Sequence, residues 1–247
     1  MKNLYSCLLF DSKKWNYGFL FSGFFLLSLW AAPGPAHASD DFHLWTWESV
    51  LVDLDDLLSI DDFDLWWKFK NENRTYEDIQ DRWRITNDLG VKFPLFDDPD
   101  IGFSIGCEYI KDYATKEDKE FDEIRPRIQL DYNVDLLWGW DLYIRGRVEM
   151  RDLHPSGKQQ YRFRPMMKFS RPNLFKISDI PVKFYTYVEP YINLETGDMD
   201  LLWFRSGLEF KLNSFTCYTI GCQVQINNCL ADEQTDSMLW TGIDFKF

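Results

Sequence analysis

Histidine, cysteine and basic residues are the scarce components of this 247-residue chain. It contains 3 His and 5 Cys, and 40 Asp and Glu outnumber 27 Lys and Arg, for a formal net charge of −13 at pH 7. The spacing of Cys107, Cys217, Cys222 and Cys229 matches no zinc pattern. Because affinity for phosphate backbones depends on Lys and Arg, the acidic balance disfavours nucleic-acid binding. P-loop and dinucleotide fingerprints are also absent. The sequence therefore predicts no metal, no cofactor and no nucleic-acid partner.

Long apolar runs are missing after the first 38 residues. The one such run, residues 17–32, follows Lys2, Lys13 and Lys14 and precedes small residues up to Ala38. It is shorter than the roughly 20 residues that a helical membrane span needs. This pattern predicts a signal peptide over residues 1–38, cleaved near Ala38, and one mature domain over 39–247. The alternative is a retained transmembrane helix. Export leaves the periplasm, the outer membrane or the medium as the location.

The last segment, residues 239–247, alternates between apolar and polar side chains. In a strand this alternation puts one set on each face, so one face suits lipid and the other a polar lumen. The aromatic ending resembles the last strand of bacterial outer-membrane barrels, which the barrel assembly machinery reads. We therefore expect Phe245 and Phe247 to form an assembly signal. The apolar set is Leu239, Ile243, Phe245 and Phe247, and the other set is Trp240, Asp244 and Lys246.

Alternating segments of about ten residues recur from residue 62 onward, as in transmembrane barrels. Ten such segments can be read as strands, an even number, as antiparallel closure requires. Segment 43–54 also resembles a strand and makes the count odd, so it is either a periplasmic extension or a sign of a missed twelfth strand. The expected fold is all-β, an antiparallel transmembrane β-barrel of 10–12 strands. The ten predicted strands are 62–70, 82–93, 101–111, 122–133, 140–151, 160–170, 182–193, 201–212, 215–227 and 237–247, and the longer polar connections at alternate positions would be the outward loops.

Charged residues share one face of each central strand. An arginine facing lipid near the membrane midplane costs roughly 2–4 kcal/mol, so the charged faces must point into the lumen. The sequence thus predicts a lumen with one cationic wall and some acidic partners. The predicted lumen network comprises Arg125, Arg127, Arg145, Arg147, Glu149, Arg151, Arg162, Arg164, Glu189, Arg205 and Glu209, with Asp131 as a further expected partner.

Two interpretations of this network remain open. Either the arginines form ion pairs that fill a narrow barrel, or they line a passage for small anions, since rings of Arg or Lys select anions. Wide aqueous channels need 16–18 strands, so a barrel of ten to twelve favours packing. We expect an outer-membrane barrel, in contact with outer-membrane lipid, with a structural or small-solute role and no enzymatic activity.

Several strands carry short motifs, namely R-x-R-x-E-x-R at Arg145–Arg151, R-x-R at Arg162–Arg164, the inward Glu189, the Arg205-x-Gly207 strand and an opening Leu44-Trp45. Together these motifs resemble a bacterial family of outer-membrane barrels, domain-of-unknown-function family 2490. The resemblance covers about residues 43–247 and implies an outer-membrane location and a barrel fold, with no established activity. The acidic stretch 53–64 departs from the family pattern and leaves the first strand pairing open.

Other classes are less well supported. His154 is the only plausible general base for an outer-membrane hydrolase, and no orienting partner for it is visible. A soluble periplasmic ligand-binding barrel would need the charged face outward and the apolar face inward, the reverse of the assignment above. Cys222 and Cys229 flank a predicted loop and could form a disulfide, although lipid-facing cysteines acting as small hydrophobes are favoured.

Overall fold

The structure is a computed structural model that describes residues 42–55, 63–75, 82–95, 98–114, 119–227 and 234–247. The predicted signal peptide and its cleavage near Ala38 lie outside these residues and stay predictions. Eleven strands occur in the described part and close into a barrel. They are β1 (Phe42–Asp53), β2 (Asp64–Thr75), β3 (Arg82–Leu95), β4 (Asp98–Ala114), β5 (Lys119–Leu136), β6 (Trp140–His154), β7 (Lys158–Ile177), β8 (Ile180–Asn193), β9 (Met199–Lys211), β10 (Thr216–Asn227) and β11 (Gln234–Lys246).

Ten of the eleven strand pairs are antiparallel, and the seam between β1 and β11 is parallel. Successive strands alternate in direction, so in an odd-numbered barrel the first and last strands point the same way. The expectation of an even count was therefore wrong. Segment 43–54 is neither an extension nor the neighbour of a missing strand among the described residues; nearly all of it is β1. Its pairing with β11 runs from Phe42 opposite Ser237 to Leu51 opposite Lys246.

The barrel has two distinct ends. The loop end carries the connections that follow β2, β4, β6, β8 and β10, and the turn end carries the others. The predicted strands 160–170 and 182–193 leave residues 171–181 as a long connection at the turn end, and this prediction is wrong. Strand β7 continues past Pro172, whose missing N–H coincides with a register shift, and reaches Ile177. Ser178 and Asp179, with φ of 47° and 67°, then form a tight turn of the kind that joins hairpins.

Side chains alternate strictly between the inside and the outside along the central strands. On β6, Glu149 is buried inside the barrel, whereas Ile144 and Val148 are 40 % and 37 % exposed on the outside. The neighbouring Ile128 and Leu130 on β5 are about half exposed. An outward apolar face and an inward charged face are what the strand patterns predicted.

Large aromatic side chains fill the interior beside the seam. Trp45, Tyr185, Met238 and Trp240 form a buried cluster. The Trp240 ring lies against Gly221 on the adjacent strand, where an added Cβ would come within 2.7 Å of the ring and 2.3 Å of a backbone oxygen. Glycine is required there because no side chain fits beneath the ring.

No helix in the described segments is long and apolar enough to cross a membrane.

Candidate functional site

The arginines and glutamates of β5, β6, β7 and β8 point into the barrel and meet one another. These strands are neighbours in the sheet, so their inward residues lie side by side on one wall. We call this set the arginine network. It comprises Arg125, Arg127, Arg145, Arg147, Glu149, Arg151, Arg162, Arg164 and Glu189.

Arg164 is the centre of the network. Its Nη1 donates to Glu149 Oε2 at 2.9 Å, and its Nη2 donates to Glu189 Oε1 at 2.8 Å. The same Nη2 donates to the Tyr191 hydroxyl at 2.8 Å, and the Tyr191 ring lies 4.2 Å from the guanidinium carbon. One cation thus joins two carboxylates on different strands, and β6, β7 and β8 are tied together inside the barrel.

Both carboxylates have a second arginine. Arg162 donates to Glu149 through Nε at 3.0 Å and also through Nη2, and Arg145 donates to Glu189 through Nη2. Glu149 and Glu189 are 1 % and 3 % exposed. Each buried anion therefore accepts hydrogen bonds from two guanidinium groups, which offsets the cost of removing its charge from water.

The arginines on β5 bind acidic residues that were not among the predicted network residues. Arg127 Nη2 lies 2.6 Å from Asp88 on β3, two strands away. It crosses β4 at Gly106, where an added Cβ would come 3.2 Å from the guanidinium carbon. Arg125 Nε donates to Glu123 at 2.6 Å, and Arg151 also donates to Glu123. The sequence signal for Asp88 is its inward parity on β3, a pattern that the predicted lumen network used only for the central strands.

Two arginines have amides rather than carboxylates as partners. Arg147 donates to Gln129 Oε1 at 2.7 and 2.9 Å. Arg205 on β9 donates to Gln223 Oε1, at 2.7 Å through Nε, and its guanidinium carbon lies 5.1 Å from the Trp240 ring. Neither makes a salt bridge to a carboxylate in the described part of the chain. The interior therefore contains two cations whose charge no direct contact neutralises.

The remaining predicted acids pair with lysine near the turn end. Glu209 lies 3.3 Å from Lys183 and 3.9 Å from Lys168, so the structure does not bring it to an arginine. Asp131 lies 2.8 Å from Lys92. A cavity of about 470 Å³ opens at this end, and its lining includes Asn133, Asp135, Asp141, Tyr143, Lys168 and Lys183.

The other singled-out residues lie apart from the network. Cys107 and Cys222 are exposed and free, and Cys229 lies outside the described residues. His154 Nε2 is 3.5 Å from Asp152 at the loop end, and Ser156 Oγ bonds to a backbone carbonyl at 3.0 Å. In the described segments no group of three or more His, Cys, Asp and Glu could hold a metal ion.

Phe245 and Phe247 lie on the outward face at the turn end of the seam. Phe247 pairs through its backbone with β1, donating to Leu51 O at 2.9 Å and accepting from Asp53 N at 2.8 Å. Its ring stacks on Phe215 with centroids 6.1 Å apart and is 63 % exposed. The role of the two residues in assembly stays a prediction.

Comparison with known proteins gives a family but no function. The model of a family described as a protein of unknown function, DUF2490, matches residues 42–236. No curated protein and no solved structure gave a significant match. The family match covers most of the barrel, including the strands whose arginine motifs suggested the resemblance. The chain therefore belongs to the DUF2490 family of proteins of unknown function.

Proposed function

We propose that this chain is an integral outer-membrane barrel whose lumen is closed at mid-height by the arginine network. The observation that carries the proposal is the inverted polarity of the barrel, with buried ion pairs inside and large apolar side chains outside. Soluble proteins rarely expose continuous apolar surfaces of this extent. A hydrocarbon environment removes this cost, because the exposed face then contacts lipid.

Aromatic pairs at both ends of the barrel support the same location. At the loop end Trp83 stacks on Tyr113 with centroids 4.9 Å apart, and at the turn end Phe215 stacks on Phe247. Aromatic residues at both water interfaces flank the apolar band of transmembrane barrels. A soluble ligand-binding barrel would have the opposite polarity, with its apolar face inside.

The network supports a closed barrel rather than a wide pore. Arg164 reaches acids on both neighbouring strands, and Arg127 crosses β4 to reach Asp88. Side chains that span several strands occupy the space that a channel would need. We infer that the mature protein, after loss of residues 1–38 and insertion by the barrel assembly machinery, has a structural role in the outer membrane.

Two measurements test this proposal. Membranes are first washed with alkaline carbonate, and the protein is expected to stay in the pellet until detergent is added. Release into the aqueous wash would instead support the soluble barrel. The purified protein is then inserted into planar bilayers, where no steady conductance is expected. A large and stable conductance in wild-type protein would contradict closure of the lumen.

A narrow anion path is a second candidate, favoured by Arg147 and Arg205. Their amide partners leave two positive charges available to a passing anion. If this candidate is correct, wild-type protein conducts chloride, and Arg147→Ala reduces the anion preference with little loss of stability. Arg164→Ala is the matched control, because its contacts to two carboxylates predict a large loss of stability.

A further inference from the structure

The outward face of the seam carries polar side chains where the wall of β5, β6 and β7 carries apolar ones. On β1, Trp45 contacts Trp203, and Ser49 bonds to Asp244, so these odd-numbered residues point inward. Glu48 consequently points outward, and it is exposed. The same alternation places polar residues outward on β2, β3 and β11. We call this set the seam strip, and it comprises Thr46, Glu48, Asn71, Asn73, Asn87 and Thr241.

The seam strip crosses the barrel wall near mid-height. Glu48 is the seventh of the twelve residues of β1. It lies in register with Asn71 on β2, and Thr46 lies in register with Asn73 on β2 and Thr241 on β11. One polar row therefore spans β11, β1 and β2, and the next spans β1 and β2. Asn87 on β3 lies opposite Phe69, outside both rows. In the proposed membrane location these rows lie in the hydrocarbon region, where a carboxylate is expensive and polar groups need partners.

Glu48 and Asn71 have unused hydrogen-bonding capacity, whereas Thr241 already bonds to the Tyr218 hydroxyl at 2.8 Å. Asn71 accepts a hydrogen bond from the Trp83 indole N–H through its side-chain oxygen, which leaves its amide hydrogens available to donate. Glu48 makes no side-chain hydrogen bond or ion pair to any residue that the structure describes. The strip thus presents a strong acceptor beside a donor, and no group in the described segments satisfies either.

We propose that the seam strip is the contact surface for a second copy of this chain in the membrane. The inference rests on the proposed outer-membrane location. A twofold contact places the same patch of both copies together. With the axis between β1 and β2, Glu48 of each copy lies against Asn71 of the other, so acceptor meets donor twice. A partner with many cations is not required, because the strip is complementary to itself.

The opposite wall shows no such pattern. Ile128 on β5, Val148 on β6 and Met167 on β7 point outward, and all three are large apolar side chains with substantial exposure. In the proposed location, lipid covers these apolar side chains, so this wall needs no protein partner. The contrast between the walls gives the matched control for the experiment, since Val148 faces lipid across the barrel from Glu48.

Disulfide trapping tests the contact. The four cysteines outside the predicted signal peptide are first replaced by alanine. Two differently tagged chains, one with Glu48→Cys and one with Asn71→Cys, are then produced together and oxidised in native membranes. A covalent product carrying both tags is expected. A pair of tagged chains that both carry Val148→Cys is the control and is expected to give little product.

The mass of the purified protein in detergent tests the contact independently, in case the cysteine substitutions perturb the barrel. Purified wild-type protein in detergent is expected to have the mass of two chains, and Glu48→Leu the mass of one, with the resistance of the folded barrel to heat retained. A wild-type monomer, equal trapping at Val148, or a cross-link to a different protein overturns the proposal. Release by carbonate would refute the membrane location and this contact together, whereas a membrane-bound monomer refutes only the contact.

Discussion

Replacing Glu149 by leucine is the sharpest test of the arginine network. Glu149 accepts bonds from Arg162 through two nitrogens and from Arg164 through one, and it is almost completely buried. Leucine removes the carboxylate and keeps a side chain of similar size, so little strain is added. Arg162 then loses its carboxylate partner, whereas Arg164 keeps Glu189. The variant therefore leaves one buried guanidinium without an ion pair.

The expected loss in the free energy of unfolding follows from the number of arginines left without an ion pair, which is one. Breaking a buried ion pair by removing one partner typically costs about 3–5 kcal/mol. One orphaned cation places Glu149→Leu near the lower limit, about 3 kcal/mol less stable than wild type. Arg145→Ala is expected to lose less, because Glu189 retains two bonds from Arg164.

Glu209→Leu is the matched control. Glu209 also points inward and also lies near two cations, but its side chain is 25 % exposed and its lysine contacts are 3.3 and 3.9 Å. A partly exposed pair of this kind contributes about 0–1 kcal/mol. Both variants are folded into phospholipid vesicles, and urea unfolding is followed by tryptophan fluorescence. Equal stability of the two variants, or a loss below about 1 kcal/mol for Glu149→Leu, would refute the claim that the network holds β6, β7 and β8 together.

Further predictions concern orientation, packing and assembly. In a cysteine-free background, Val148→Cys is expected to react with a membrane-dissolved thiol reagent and Arg147→Cys is not; the reverse labelling would support the soluble barrel. Gly221→Ala is expected to cost about 1–3 kcal/mol in urea unfolding, because its Cβ would lie 2.3 Å from a backbone oxygen. Gly146→Ala is the control, since its Cβ would meet a ring at 3.6 Å. Phe247→Ala is expected to lower the outer-membrane level and leave precursor in the periplasm, measured by fractionation; unchanged levels would argue against an assembly signal.

The face on which each central side chain lies could be predicted from the sequence. Strict alternation over Arg145, Arg147 and Glu149 admits only two orientations, and the cost of exposing arginine to lipid selects one. The same reasoning fails to give contacts between strands. Arg127 meets Asp88 only because β4 has a glycine at the crossing point and because the strands are offset in the way that closure requires. That offset is a property of the whole barrel, and no single strand encodes it.

The pairing that closes the barrel could not be predicted from the sequence pattern either. Alternation shows that segment 43–54 can be a strand, but it does not show which neighbour the strand takes or in which direction. The parallel seam depends on contacts between distant residues, such as Trp47 beside Trp240 at 4.7 Å and the hydrogen bond from Trp47 Nε1 to Asp244 at 3.2 Å. These side chains face the interior, and their contacts stabilise the pairing of the first strand with the last.

The outward face of the same seam breaks the rule that orients every central strand. Glu48 points outward at mid-height, although the argument that placed the arginines inside rests on the cost of outward charge. A glutamate costs less than an arginine at this depth, so the orientation of β1 is set by its inward aromatic residues rather than by Glu48. The inward packing that closes the barrel thus leaves a charge on its surface. The proposed contact with a second copy would give that charge a hydrogen-bond donor, the Asn71 amide. On this proposal, the seam that closes the barrel is also the surface through which two chains associate.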